Sequence, residues 1–175
     1  EVDVAEGDMS RETAMVEALA SDEGSLLVGA IASCRPESPD FPAYLETVLA
    51  DPFVRGFRRV LHVVPDDLSE GALFRDNIKR LAGTGLNFDL CVLPHQIEKA
   101  IALADLAPDV SFVLDHCGVP DITGGGYDVW TGPVADIARR PNVTVKLSGI
   151  PAYGAENWTL EDLKPYFSHV AQSFG

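Results

Sequence analysis

The sequence predicts an α/β fold built on a parallel β-sheet. Short apolar segments alternate five times with amphipathic helical segments at a pitch of about 25 to 35 residues, which is the βαβ pattern. Each apolar segment is followed by glycine, proline or polar residues, as at the carboxyl end of a buried strand. Doubly wound sheets and eight-stranded barrels both show this pattern, and the spacing alone does not separate them.

The individual elements follow from apolar periodicity and from capping residues. We expect strands at residues 25–33, 54–64, 88–93, 112–114 and 143–148. We expect helices at residues 10–20, 41–49, 68–82, 96–106, 134–139 and 160–174. Ser10, Ser69 and Thr159 are candidate N-caps, because a short hydroxyl side chain can accept a hydrogen bond from an amide of the first turn.

The composition is typical of a single globular domain. The 175 residues are enough to bury a core, and 46% of them are hydrophobic. No apolar run is long enough to cross a bilayer, and residues 1–4 lack the basic start of a targeting signal. The net charge of −14 disfavours nucleic-acid and anionic-membrane partners, because those surfaces require clustered Lys and Arg. Three cysteines without a CxxC pair indicate a reducing cytoplasm.

The strongest functional signal is the segment Ser111–Gly118, in which an apolar strand ends in Asp115, His116 and Cys117. Ligands and reactive groups of α/β folds lie at the carboxyl ends of strands. His116 is therefore the first candidate for a functional residue. The glycine run at residues 124–126 does not indicate nucleotide binding, because neither GxGxxG nor GxxxxGK[ST] occurs in the chain.

Five segments resemble, in order and spacing, the amidohydrolase-related family of sugar-lactone and pyrone-dicarboxylate lactonases. They span residues 55–62, 86–91, 112–120, 141–149 and 157–163. The most specific are Leu-Asp-His-Cys-Gly-Val-Pro at residues 114–120 and Asn-Val-Thr-Val-Lys-Leu-Ser-Gly at residues 142–149. The resemblance extends over nearly the whole chain.

The resemblance implies a (β/α)8 TIM barrel, of which this chain carries strands three to seven within a single amidohydrolase-like domain over residues 1–175. Members of the family begin with a strand bearing His-x-His and end with a strand bearing a catalytic Asp in a Gly-Ser-Asp-x-Pro context. Neither motif occurs here, so the chain resembles a middle section that is incomplete at both ends. The implied reaction is hydrolysis of a cyclic ester, in which that Asp activates a water molecule.

Particular side chains receive roles from the resemblance and from strand periodicity. His116 matches the family's strand-end histidine, which ligates a metal or polarises the scissile carbonyl and its attacking water. Arg58 matches a strand-end arginine that binds an anionic or polyhydroxy substrate. His62 shares a strand face with Arg58 by the period of two, and is a second substrate-binding candidate. Lys146 and Ser148 share a face, where Lys146 binds a substrate oxygen or forms an internal salt bridge.

We expect a cytoplasmic lactonase-type hydrolase whose partner is a small-molecule substrate; a homo-oligomer is left open. The cofactor is one divalent ion, Zn or Mn, with His116 as a ligand, or none. Such a site needs about three protein ligands, and the chain offers one well-placed His. A non-oxidative decarboxylase on the same barrel and a catalytically inactive interaction module are the alternatives. Asp115 is expected on the opposite strand face from His116, in a structural role or as a partner that supports a site residue, and His169 at the surface.

Overall fold

A computed structural model describes residues 3–175 as one five-stranded sheet with associated helices. The strands are β1 (Ala30–Ser33), β2 (Val54–Val60), β3 (Asn87–Cys91), β4 (Ser111–Leu114) and β5 (Val143–Val145). The helices are α1 (Met9–Ala20), α2 (Phe41–Leu49), α3 (Ala72–Lys79), α4 (Ile97–Leu106), α5 (Tyr127–Ile137) and α6 (Leu160–Phe174). A single turn of 3-10 helix follows β5 at Ile150–Tyr153, whereas β4 is followed by a turn at Asp115–Gly118 whose inner dihedrals are not helical.

All neighbouring strands are parallel and lie in chain order, β1-β2-β3-β4-β5. A doubly wound sheet reverses its strand order at a switch point, whereas a barrel places each strand beside the preceding one. The consecutive order therefore favours the barrel arrangement over the doubly wound one.

The sheet has two faces of different chemistry because successive side chains of a strand alternate in direction. The apolar face is fully buried and consists of Phe57, Phe88, Leu90, Phe112 and Leu114. Phe88 packs edge-on against Phe74 of α3 and Phe112 of β4, with ring centroids 6.3 and 6.1 Å apart. The opposite face is polar, and Ser33, Arg58 and Asp89 lie side by side on it in the strand register. In a barrel this second face lines the interior.

All predicted strands and helices are present, and four of the five strands are shorter than expected. Helices α2 and α6 have the predicted bounds. The first strand begins at Ala30 rather than at residue 25, and Leu26 and Val28 are 92% and 84% exposed. Helix α5 begins at Tyr127 rather than at residue 134, because the chain accommodates Pro133 within the helix, where proline usually ends one. No helix within residues 3–175 has the length and apolar composition needed to span a membrane.

Candidate active site

The polar face is arranged in two layers along the strands. Arg58 of β2 and Asp89 of β3 lie opposite each other in the lower layer. Cys91, Asp115 and Lys146 form the next layer towards the carboxyl ends, since the side chain of Asp115 contacts both Cys91 and Lys146. Layers of this kind fill the interior of parallel barrels.

His116 lies above these layers, where β4 ends in a tight left-handed turn. His116, Cys117 and Val119 have φ angles of 49°, 57° and 50°, and they are the non-glycine residues with positive φ in the described chain. This conformation costs about 1–2 kcal/mol per residue, most for a β-branched side chain such as that of Val119. Backbone strain of this size is typical of sites where it positions a functional group.

The imidazole of His116 is held from the neighbouring strand end. Its Nδ1 lies 2.9 Å from the hydroxyl oxygen of Ser148. The next residue, Gly149, has a φ of 78°, and a Cβ atom added there would lie 2.9 Å from the Cβ of His116. The backbone after β5 therefore approaches the histidine so closely that only glycine fits at position 149.

Strand alternation predicted that Asp115 would lie on the strand face opposite His116, but the two side chains contact the same neighbouring segment. The strand ends at Leu114, so the period of two does not extend to residues 115 and 116. Asp115 is buried beside Lys146, while His116 contacts Ser148, and both partners come from the segment at the end of β5. The thiol of Cys91 donates a hydrogen bond of 2.9 Å to Asp115 Oδ2.

Lys146 forms an internal ion-pair cluster with two carboxylates. Its Nζ lies 2.6 Å from Asp115 Oδ1 and also donates a hydrogen bond to Asp89 Oδ2. Burial lowers the pKa of Lys146, but the hydrogen bonds to Asp115 and Asp89 outweigh this effect and raise the pKa above its ordinary value. The ammonium group is therefore fixed between two strands, and its predicted contact with a substrate oxygen stays a prediction.

Asp89 was not singled out from the sequence, although it is the charged residue of an otherwise apolar strand. The side chain is 1% exposed, and its Oδ1 is buried without a hydrogen-bond partner among residues 3–175. Burial raises the pKa of Asp89 to about 6, although the hydrogen bond from Lys146 opposes the shift; repulsion from Asp115 adds to it. Desolvation thus outweighs ion pairing at this carboxyl group.

This raised pKa predicts a pH dependence of stability. The ordinary value is 3.8, so between 3.8 and about 6 the folded chain holds more protons at Asp89 than the unfolded chain. The contribution of Asp89 to the free energy of unfolding therefore falls as pH rises through this window, by at most about 3 kcal/mol. We expect Asp89→Asn to remove this contribution, as measured by urea unfolding across the window. If the free energy of unfolding changed equally with pH in the parent protein and in Asp89→Asn, the raised pKa of Asp89 would be contradicted. Asp76→Asn, on the exposed side of α3, is the control.

Arg58 is turned towards β1. Its Nη2 donates hydrogen bonds to Glu12 Oε1 at 2.7 Å and to Ser33 Oγ at 2.8 Å, and Nη1 donates to the carbonyl of Ile31 at 3.2 Å. The second carboxylate oxygen of Glu12 accepts the backbone N–H of Ser33 at 3.0 Å. The sequence did not indicate Glu12, because no local pattern shows that α1 lies beside the edge of the sheet. Contact of Arg58 with substrate stays a prediction.

His62 does not share a strand face with Arg58, because β2 ends at Val60 and His62 lies in the turn that follows. The ring is partly buried, and its Nδ1 has no hydrogen-bond partner within residues 3–175. His62 therefore remains a candidate for substrate binding on its position at a strand end. His169, which was expected at the surface, is partly buried instead: its Nε2 lies 2.9 Å from the carbonyl of Thr131.

A cavity of about 460 Å³ lies among the loops that follow β3, β4 and β5. Its lining comes from Leu93, Pro94, His95, Val119, Pro120, Asp121, Thr123, Ala152, Tyr153 and Gly154. Tyr153, which lines the cavity, also lies near His116: Cε2 of Tyr153 and Cβ of His116 are 3.1 and 2.9 Å from the position that a Cβ atom on Gly149 would occupy. The volume suits one small ring compound. The sequence did not indicate the tyrosine.

The described residues do not make up a metal site on their own. No group of three or more His, Cys, Asp or Glu side chains within residues 3–175 is placed to hold an ion. The buried carboxylates Asp89 and Asp115 are both paired with Lys146. A hydrolytic metal needs about three protein ligands and an open position, so the predicted metal contact of His116 has no co-ligands among these residues.

Comparison with known proteins decides the family. An amidohydrolase family model, Amidohydro_2, matches residues 1–175. The chain belongs to the amidohydrolase family. This amidohydrolase chain is 30% identical over 140 residues to an L-fucono-1,5-lactonase from Burkholderia ambifaria, in a match that covers 79% of the chain and 48% of that lactonase. It therefore spans about half the length of the curated relatives it matches.

Solved structures confirm the fold of this amidohydrolase chain. An amidohydrolase from Burkholderia multivorans, crystallised with bound zinc, superposes with a TM-score of 0.82 at 23% identity, over 95% of the chain and 61% of that protein. A probable 2-pyrone-4,6-dicarboxylic acid hydrolase from Acinetobacter baumannii superposes with a TM-score of 0.72 at 15% identity, over 92% of the chain and 58% of that protein. The sheet is thus the five-stranded part of a TIM barrel.

Proposed function

We propose that the protein hydrolyses lactones and that His116 acts on the ring carbonyl. The observation that carries the proposal is the position of the imidazole: at the carboxyl end of β4, held through Nδ1 by Ser148 and adjacent to the cavity that Tyr153 lines. Chemistry in parallel barrels takes place at this end of the strands. The relationship to an L-fucono-1,5-lactonase supports the same reaction.

In this reaction the oxygen of a water molecule bonds to the lactone carbonyl carbon, and the ring C–O bond breaks. One proton of the water passes to the ring oxygen, which leaves as a hydroxyl group, and the product is a hydroxy acid. Nδ1 is directed to Ser148, and we therefore infer that the lactone carbonyl oxygen is bound through Nε2 of His116. An N–H donor at that position stabilises the negative charge that develops on this oxygen.

The charges around the cavity favour an uncharged sugar lactone over a dicarboxylate. The cationic side chains of the polar face are already paired: Arg58 with Glu12, and Lys146 with Asp89 and Asp115. Asp121 adds a carboxylate to the lining of the cavity. The chain carries a net charge of −14, which repels a dianionic substrate.

A substrate panel tests both parts of the proposal. We expect the purified protein to acidify a weakly buffered solution of six-membered sugar lactones, with kcat/KM at least about tenfold above that for a pyrone dicarboxylate, a difference of about 1.4 kcal/mol. Preference for the dicarboxylate would contradict the charge argument. Absence of turnover on every lactone would contradict the proposed function and favour a decarboxylase or an inactive module.

A further inference from the structure

The partner of His116 Nδ1 is a neutral hydroxyl group, although a carboxylate is its neighbour in the chain. Histidines of active sites commonly direct Nδ1–H to a carboxylate or a backbone carbonyl, and such acceptor-only partners fix the proton on Nδ1. Asp115 could serve in this way. Its two oxygens are instead engaged by Lys146 and by the thiol of Cys91. The carboxylate of Asp115 therefore belongs to the Lys146 cluster, and the hydroxyl of Ser148 is the partner of Nδ1.

A hydroxyl group differs from a carboxylate because it can donate as well as accept a hydrogen bond. If Ser148 accepts from Nδ1–H, Nε2 of the neutral ring is an acceptor and repels a carbonyl oxygen. If Ser148 donates to Nδ1, the ring proton lies on Nε2, which can then donate to that oxygen. The two arrangements have the same 2.9 Å separation of heavy atoms but opposite consequences for catalysis.

We propose that Ser148 is a positioning residue that donates its hydroxyl hydrogen to Nδ1 and holds the neutral imidazole of His116 in the Nε2–H tautomer. The inference rests on the proposed lactone hydrolysis, which requires a donor at Nε2. The local backbone fixes the hydroxyl in place: the N–H of Ser148 bonds the carbonyl of Lys146 at 2.9 Å, and Gly149 packs against the Cβ of His116.

Three substitutions at position 148 separate the two arrangements. Ser148→Thr keeps a hydroxyl group, Ser148→Ala removes the partner, and Ser148→Asp supplies an acceptor that requires Nδ1–H. We expect kcat to stay within about threefold of the parent value for the threonine variant, and to fall about 10- to 100-fold for the alanine variant and further for the aspartate variant, with little change in KM. A parent-like kcat for Ser148→Ala or Ser148→Asp would overturn the proposal.

The tautomer of His116 can also be determined by a measurement that does not depend on enzymatic activity. Nitrogen-15 NMR of the labelled protein above about pH 8, where an ordinary imidazole is neutral, distinguishes the protonated from the bare ring nitrogen. The His116 signals are assigned by their loss in His116→Asn. We expect the proton on Nε2 in the parent and in Ser148→Thr, and on Nδ1 in Ser148→Asp. A parent spectrum with the proton on Nδ1 would overturn the proposal, whereas a protein with the expected spectrum and no lactonase activity would refute only the proposed function.

Discussion

Replacing His116 by Asn is expected to lower kcat/KM for lactone hydrolysis by about 10²- to 10⁴-fold, the range attributed to a positioned proton donor or acceptor. The fold should survive the change, because Asn is among the residues that most readily adopt the left-handed conformation found here, with φ of 49°. The carboxamide can also keep a hydrogen bond to Ser148. Steady-state kinetics and thermal unfolding of the same preparation provide the measurement.

His169→Asn is the matched control for this experiment. His169 belongs to α6 and packs on the ring of Trp130, with centroids 5.2 Å apart, and it takes no part in the proposed site. We expect its removal to affect the unfolding temperature more than the kinetics. Parent-like lactone hydrolysis by His116→Asn would remove the proposed role of the imidazole.

Among the substitutions proposed here, Lys146→Met is expected to lower the free energy of unfolding most, by about 2–4 kcal/mol. The methionine fills a similar volume but leaves Asp89 and Asp115, 1% and 2% exposed, without their shared cation. Removal of one partner from a fully buried ion pair costs about 3–5 kcal/mol. We expect somewhat less because the side chain of Lys146 is 42% exposed. Urea unfolding at neutral pH measures the difference.

The control for this change is Lys79→Met, which breaks an exposed pair with Asp76 at 3.1 Å and should cost about 0–1 kcal/mol. The double variant Lys146→Met with Asp89→Asn should regain part of the lost stability, because it removes one of the two unpaired carboxylates. A loss of less than about 1 kcal/mol for Lys146→Met would show that water or rearrangement compensates the buried charges.

Apolar periodicity, together with glycine, proline and capping residues, was sufficient to predict the order and type of the helices and strands. Helix α6 has its predicted bounds because Thr159 begins a capping box with Asp162. Four of the five strands were predicted too long, because apolar residues continue beyond the paired segment at one end of the strand. His62 is the clearest case: the pattern placed it on β2, whereas the strand ends two residues earlier.

The candidate site could be predicted only in part. His116 follows from its position at the end of an apolar strand. The left-handed turn at His116 and its contact with Ser148 could not be predicted, because both depend on how closely the end of β4 and the segment after β5 approach each other. Asp89 and Glu12 come from elements far apart in the chain, and each acquires its role only when tertiary packing places it beside a cation.

A crystal structure of the protein with a sugar lactam would test the central claim most directly, because a lactam has the ring and carbonyl of the lactone but resists hydrolysis. We expect the ring in the cavity beside Tyr153, with its carbonyl oxygen at a hydrogen-bond distance of about 2.7–3.2 Å from Nε2 of His116. A lactam bound at the opposite end of the sheet, or one whose carbonyl is directed away from His116, would contradict the proposed mechanism.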